Sequence, residues 1–293
     1  MHDNCDVRLI TIDSCRYDTA LAANTPNLKK IGTLRKAETS GSYTYPAHHS
    51  FFIGDVPRII DGDLQYIPGF DQIWRSVSAR KTKKPVFSLY DTPNIITHYE
   101  QIGYNVQGFG GVTFFNTHDN NNVLPKLFKN FHYFGTSENL HPFEKIPRTE
   151  SVLPLGNLEL IAKSIDKDVP YFLFINCPET HIPYDVPGTN PNNSYRELIK
   201  RIYIEQNTKR LYRPENLPFT SDEIKLLKLA QIRALEWVDF RVGLLFESIP
   251  IRRPTLTIVC ADHGEEFGDN GRFGHAHNDI TVLQVPVWAK YTD

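Results

Sequence analysis

Asp262 and His263 stand side by side after Thr255-Leu256-Thr257-Ile258-Val259-Cys260, and Gly264-Glu265-Glu266-Phe267-Gly268 and Gly274-His275-Ala276-His277 follow. The apolar, β-branched run before the pair reads as a buried strand. In α/β sheets, ligands bind beyond the carboxyl ends of strands. A carboxylate beside an imidazole is a mixed oxygen and nitrogen pair, which suits zinc, manganese or iron better than calcium or magnesium. The pair therefore reads as half of a metal site, with two further histidines one loop away.

The other half is expected near the N-terminus. Val7-Arg8-Leu9-Ile10-Thr11-Ile12 reads as a second strand and runs into Asp13, followed by Ser14-Cys15-Arg16-Tyr17-Asp18. Thr25-Pro26-Asn27-Leu28 opens a helix, with Thr25 as N-cap and Pro26 in the first position. Ser42-Tyr43-Thr44-Tyr45-Pro46-Ala47-His48-His49 opens another, placing Thr44 just before a helix N-terminus. Free N–H groups and a positive partial charge make that end a favourable place for an anionic group.

Alternating elements are expected around these motifs. Further strands are read near 85–90, 104–110, 171–177 and 285–290. Helices are read near 26–38, 46–54, 70–80, 94–103, 156–166, 194–205 and 221–248. The last opens on the capping box Thr220-x-x-Glu223 and carries Leu235, Val238, Val242 and Leu245 at helical spacing, a core stripe. The alternation implies an α/β fold with a mostly parallel central sheet and helices on both faces. Residues 116–125 and 186–193 read as loops, the second as a lid beside His181.

Taken in order, these motifs resemble the alkaline phosphatase superfamily in its sulfatase-like branch. Asp13 with Arg16 and Asp18 resembles the first metal-ligand strand, and Thr25-Pro26-Asn27-Leu28 the helix start that follows it. Thr44-x-Pro46-Ala47-His48 lies where sulfatases carry Cys-x-Pro-Ser-Arg, the nucleophile motif. His181-Ile182-Pro183-Tyr184 resembles the His-x-Pro-Tyr substrate loop. Ala261-Asp262-His263-Gly264-Glu265 resembles the second ligand pair, and Val285-Pro286-Val287-Trp288 the closing strand. Residues 235–245, with Asp239 and Gly243, resemble the helix before that pair.

The departures narrow what the resemblance implies. Thr44 is not convertible to formylglycine, so the resemblance points to phosphoester-cleaving members that use Thr directly. Ser14 replaces the second of two adjacent Asp residues, and Asp-His replaces the Asp-Asn of the calcium sulfatases. Both changes favour one divalent transition metal, manganese or zinc, held by Asp13, Thr44, Asp262 and His263. The implied activity is metal-dependent hydrolysis of a phosphodiester, phosphomonoester or phosphonate through a phospho-threonine at Thr44. His181, His275, His277 and His48 are the candidates to hold phosphoryl oxygens or protonate the leaving group. Arg16 is a candidate phosphate contact, with an ion pair to Asp18 as the alternative. A possible second metal would use Cys177, His181 and another histidine. Alternatives are a phosphoryl or phosphonyl transferase or mutase, a sulfoester hydrolase, and a non-catalytic metal-binding relic of the fold.

Composition agrees with a globular enzyme whose partner is a small phosphoester. The 293 residues are 40% hydrophobic and 23% charged, with a net charge of −2, which offers no electrostatic case for nucleic acid or a membrane surface. Residues 1–293 read as one catalytic domain, with the smaller C-terminal sheet domain of full sulfatases reduced or absent. No apolar run is long enough to span a bilayer, and no signal-peptide pattern opens the chain. Cysteines 5, 15, 177 and 260 have no C-x-x-C spacing. They read as reduced thiols, and the expected compartment is the cytoplasm. The oligomeric state is open.

Overall fold

The computed structural model describes residues 4–54, 93–135, 141–208 and 210–293. A seven-stranded sheet organises them. Its strands are β1 (Asp6–Ile12), β2 (Arg35–Glu38), β3 (Asn105–Gly110), β4 (Phe131–Tyr133), β5 (Tyr171–Cys177), β6 (Thr255–Ala261) and β9 (Gln284–Thr292), in the order β2-β9-β6-β1-β5-β3-β4. The strands from β6 to β4 run parallel, while β9 and β2 extend the sheet antiparallel. A separate hairpin, β7 (Glu266–Phe267) with β8 (Phe273–Gly274), stands outside it. The sheet is the mixed, mostly parallel one expected.

Alternation along the central strands feeds two cores. Ile10 and Ile12 of β1, Leu173 and Ile175 of β5, and Val259 and Ala261 of β6 join one buried cluster. Val7 and Leu9, Phe172 and Phe174, and Cys260 join the other. The first is covered by helices α1 (Tyr17–Ala22), α2 (Pro26–Ile31), α5 (Leu158–Ser164) and α7 (Ser221–Ser248). Helices α3 (Thr44–Ile53) and α4 (Ile95–Gln101) contribute to the second. A third cluster packs α6 (Asn193–Thr208) against the first half of α7 and the hairpin. Helix α7 matches its expected span, and its capping box forms: Thr220 N donates to Glu223 Oε2 at 2.8 Å and Glu223 N to Thr220 Oγ1 at 3.2 Å. Its stripe Leu235, Val238, Val242 and Leu245 is fully buried. Among the described residues, no helix is long and apolar enough to cross a membrane.

Two local expectations are corrected. The helix read over 26–38 ends at Ile31, and Arg35–Glu38 is an edge strand paired with β9. Its charges are those that natural edge strands carry, and pairing overrides their helix propensity. Thr25 makes no side-chain cap. Asp239, reaching across from α7, accepts from Leu28 N at 2.7 Å and from Asn27 N at 3.2 Å. The helix expected near 70–80 and the strand near 85–90 lie outside the described residues.

Asp239 therefore caps α2 from a distant helix and fixes the segment that follows the Asp13 loop. Replacing Asp239 by Ala should lower stability in a denaturant titration by about 1–2 kcal/mol, the usual cost of a lost helix cap. A midpoint unchanged from wild type would show the cap to be energetically idle.

Candidate metal centre and nucleophile

Three adjacent strand ends meet at one point. Asp13 follows β1, Asp262 and His263 follow β6, and β1 pairs with both β6 and β5. The backbone N–H of Asp13 donates to the Cys177 carbonyl at 2.9 Å, so the turn after β1 is held to the end of β5. Ser14, at φ 59°, braces both acids: its Oγ donates to Asp13 Oδ1 at 2.9 Å and its N–H to Asp262 Oδ1 at 3.2 Å. Gly264 is required by close approach, because a Cβ there would stand 2.0 Å from the Thr281 carbonyl oxygen.

Asp13, Asp262 and His263 are fully buried, and their potential ligand atoms lie within 4.8 Å of one another. His263 Nδ1 faces the Gly264 carbonyl at 2.9 Å. A carbonyl only accepts, so Nδ1 carries the proton and the Nε2 lone pair points elsewhere. It points toward Asp13 Oδ1 and Asp262 Oδ2, each 3.7 Å away. Neither His263 Nε2 nor Asp262 Oδ2 has a hydrogen-bond partner. Burial pushes the His263 imidazole down to about 3, leaving it neutral at physiological pH. Burial, reinforced by the charge of Asp13, raises Asp262 well above the usual carboxylate range. A lone pair aimed at two buried carboxylates without a donor is costly. A divalent cation satisfies it, since ligands about 2.0–2.2 Å from a tetrahedral ion stand roughly 3.4 Å apart. The residues fit a transition metal.

Thr44 enters this cluster as the first residue of α3. Its hydroxyl donates to Asp13 Oδ2 at 3.0 Å. Gly41 lets the preceding loop lie against the helix start, because a Cβ there would meet Ala47 N at 2.3 Å. His48 Nδ1 donates to the Thr44 carbonyl at 2.7 Å, and His48 Nε2 accepts from Thr11 of β1 at 2.8 Å. His48 is fully buried among Phe51, Phe52, Phe115 and Phe174, and burial pushes it down to about 4. The reading of His48 as a phosphate contact or acid is corrected: both nitrogens are engaged, and the residue positions Thr44.

Arg16 is corrected in the same way. Its guanidinium binds Asp18 at 2.6 and 2.7 Å, Asp269 at 2.6 Å and the Glu265 carbonyl at 2.9 Å. The alternative reading as an ion pair with Asp18 is the one the geometry carries.

His181 and His275 line a cavity of about 600 Å³ together with Thr44. Their rings lie 5.3 Å apart, and the His275 ring is 4.5 Å from that of His263. His181 Nδ1 donates to the Ile182 carbonyl at 2.9 Å, and His275 Nδ1 to Glu265 Oε1 at 3.1 Å. His277 does not line the cavity. It lies one layer behind, with Nε2 against Glu266 Oε2 at 2.8 Å. Consecutive glutamates thus hold alternate histidines, and Ala276 N ties their loop to the Ser42 carbonyl at 2.7 Å, two residues before Thr44. Cys177 joins no metal-ligating group of three among the described residues. Burial raises its thiol far above the ordinary value, and the second metal site read from it is not formed there.

Sequence reading overlooked several positioning residues. Arg148 is buried and pins the His181 loop through the carbonyls of Pro178 at 3.1 Å, Glu179 at 2.9 Å and Asp185 at 2.7 Å. Gln231 of α7 donates to the Ser14 and Thr180 carbonyls at 2.9 and 3.1 Å. Neither carries a local motif that would have revealed it. Asp185, immediately before the segment read as a lid, accepts from Arg148 N at 2.7 Å through Oδ2.

The Arg16 network sets a pH dependence. Asp269 is partly buried, which alone would raise its pKa, but hydrogen bonding and charge from Arg16, followed by Lys228, hold it below the ordinary range. Its folded value lies under the unfolded one, so its contribution is complete above about pH 4 and fades as pH falls through the folded value. Asp269→Asn should therefore cost about 2 kcal/mol at neutral pH, and the gap from wild type should shrink in acid. Denaturant titrations at a series of pH values check this. A gap independent of pH would contradict the assignment.

No family model and no curated protein matches the sequence. Solved structures do resemble it. The phosphonate monoester hydrolase of Agrobacterium radiobacter superposes with a TM-score of 0.64 at 14% identity, covering 98% of this chain and 68% of that one. A zinc complex of the C-terminal periplasmic domain of EcEptC from Escherichia coli gives 0.61 at 15%, covering 99% and 74%. The soluble domain of lipooligosaccharide phosphoethanolamine transferase A from Neisseria meningitidis gives 0.58 at 14%, covering 98% and 77%. The EcEptC relative is a periplasmic domain, so the comparison lends the cytoplasmic expectation no support. With its sheet order and three converging strand ends, the chain has the fold of the sulfatase-like alkaline phosphatase superfamily.

Proposed function

We propose that this protein cleaves phosphate or phosphonate esters by attack of Thr44 on phosphorus, with water as the final acceptor. The observation that carries this reading is the Thr44 hydroxyl. Thr44 lines the cavity with His181 and His275, and its hydroxyl is hydrogen-bonded to Asp13, a member of the buried acid and imidazole cluster. Asp13, Asp262 and His263 would hold a divalent cation, which would supply positive charge to offset that of the phosphoester.

The chain's own groups then divide the remaining work. Asp13 Oδ2 holds the Thr44 proton and fixes the direction of the oxygen. His48 fixes the backbone behind it. Attack forms a bond from Thr44 Oγ1 to phosphorus and breaks the bond to the ester oxygen, which takes a proton as it leaves. His181 and His275 are placed to deliver that proton or to hold a phosphoryl oxygen. Water then attacks phosphorus, and Thr44 departs with its proton restored.

Transfer to an alcohol in place of water is the second reading. It is supported by the phosphoethanolamine transferase among the similar folds. The two differ only in what resolves the covalent phosphoryl group. A metal-binding relic is disfavoured because the acids, the imidazole and the hydroxyl are all in place.

Release of p-nitrophenol from mono- and diesters, after metal stripping and restoration with manganese or zinc, tests the reading. Thr44→Ala should lower turnover by at least about a thousandfold, while Thr44→Ser keeps part of it. Added glycerol should appear in the product if the protein is a transferase. Equal, metal-independent release by wild type and Thr44→Ala would contradict the mechanism.

A further inference from the structure

The cavity lined by Thr44, His181 and His275 has a cation on its wall that the phosphorus chemistry leaves unused. Its lining continues over the segment after the turn Pro142–Glu144, where Lys145 stands with Tyr133, His141 and Tyr203. The Lys145 backbone is fixed, its N–H donating to the Pro142 carbonyl at 3.2 Å. Its side chain is half-buried, and among the described residues the ammonium makes no hydrogen bond or ion pair.

No acid forms an ion pair with it among the described residues. Glu144 also lines the cavity, but its Oε2 accepts from His141 N at 2.7 Å. Arg148, the other strong cation on the wall, directs its guanidinium to backbone carbonyls. Burial, then repulsion from Arg148, lowers the Lys145 pKa, the sign of a charged group that lacks compensation. An ammonium partly removed from water and facing a ligand-sized cavity favours an anion there.

We propose that Lys145 determines specificity by receiving a second anionic group, carried on the ester arm of a substrate whose phosphorus lies at Thr44. This rests on the reading of Thr44 given above. The substrate class is then an ester with two separated negative centres. The same charge repels an arm that ends in an ammonium, as ethanolamine does.

A series of p-nitrophenyl phosphodiesters separates these cases, with the second arm ending in a carboxylate, a phosphonate, a carboxamide or an ammonium. The metal-loaded wild type should show a KM about tenfold lower for at least one anionic arm than for the carboxamide, and the highest KM for the ammonium. In Lys145→Met the ratio of carboxamide to anionic KM should fall to near one, and Lys145→Arg should retain it. Equal KM values in wild type, or a preference that survives in Lys145→Met, would overturn the proposal.

Binding distinguishes this proposal from the one it rests on. Calorimetry with non-reactive phosphonates bearing the same tails should show the anion preference in Thr44→Ala as well, and its loss in Lys145→Met. A preference in binding without Thr44-dependent turnover removes the reaction and leaves the subsite. Turnover without any anion preference removes the subsite and leaves the reaction.

Discussion

Two carboxylates and an imidazole lone pair, all fully buried, converge on one point, and neither His263 Nε2 nor Asp262 Oδ2 has a hydrogen-bond partner there. This unfavourable convergence is the constraint on which the rest of the structure depends. Like charges at such distances in a dry interior repel strongly, and a neutral imidazole aimed at them offers no relief. A divalent cation turns the same arrangement into a favourable one. The fold enforces it by delivering Asp13 from β1 and Asp262 with His263 from β6, neighbouring parallel strands with matched ends.

Strand β1 acts as the reference for the whole site. Thr11 points to one face and reaches the Thr44 carbonyl through His48. Asp13, just beyond the strand, reaches the Thr44 hydroxyl. Thr44 is thus fixed at both its backbone and its side chain by one strand. The loops around it are held by buried polar groups: Arg16 and Arg148 by carbonyls and acids, His275 by Glu265, and His277 by Glu266. Burial of Arg16 and Arg148 is tolerable because every guanidinium nitrogen of each donates at least one hydrogen bond. Of the candidate site, Thr44, His181 and His275 line one cavity.

Much of this was legible in the sequence, for a physical reason. Buried parallel strands are continuous apolar runs, so the ends of β1 and β6 could be located, and with them Asp13, Asp262 and His263. Helix α7 was equally plain from its capping box and stripe. The roles of Arg16 and His48 were not, because each is decided by partners far along the chain: Asp269 and Glu265 for Arg16, Thr11 for His48. His275 and His277 share a loop and differ only in which glutamate each meets, which no spacing reveals. Edge strand β2 was hidden because charged residues of helical propensity become a strand only once β9 lies beside them.

The central claim is that Asp13, Asp262 and His263 bind one divalent transition metal. Calorimetric titration of the metal-stripped protein with manganese or zinc tests it most directly, in wild type and in Asp262→Asn. The account predicts saturable uptake of one equivalent by wild type, with a rise in melting temperature that follows metal concentration, and loss of both in the variant. No saturable uptake, or the same uptake by both proteins, would contradict it.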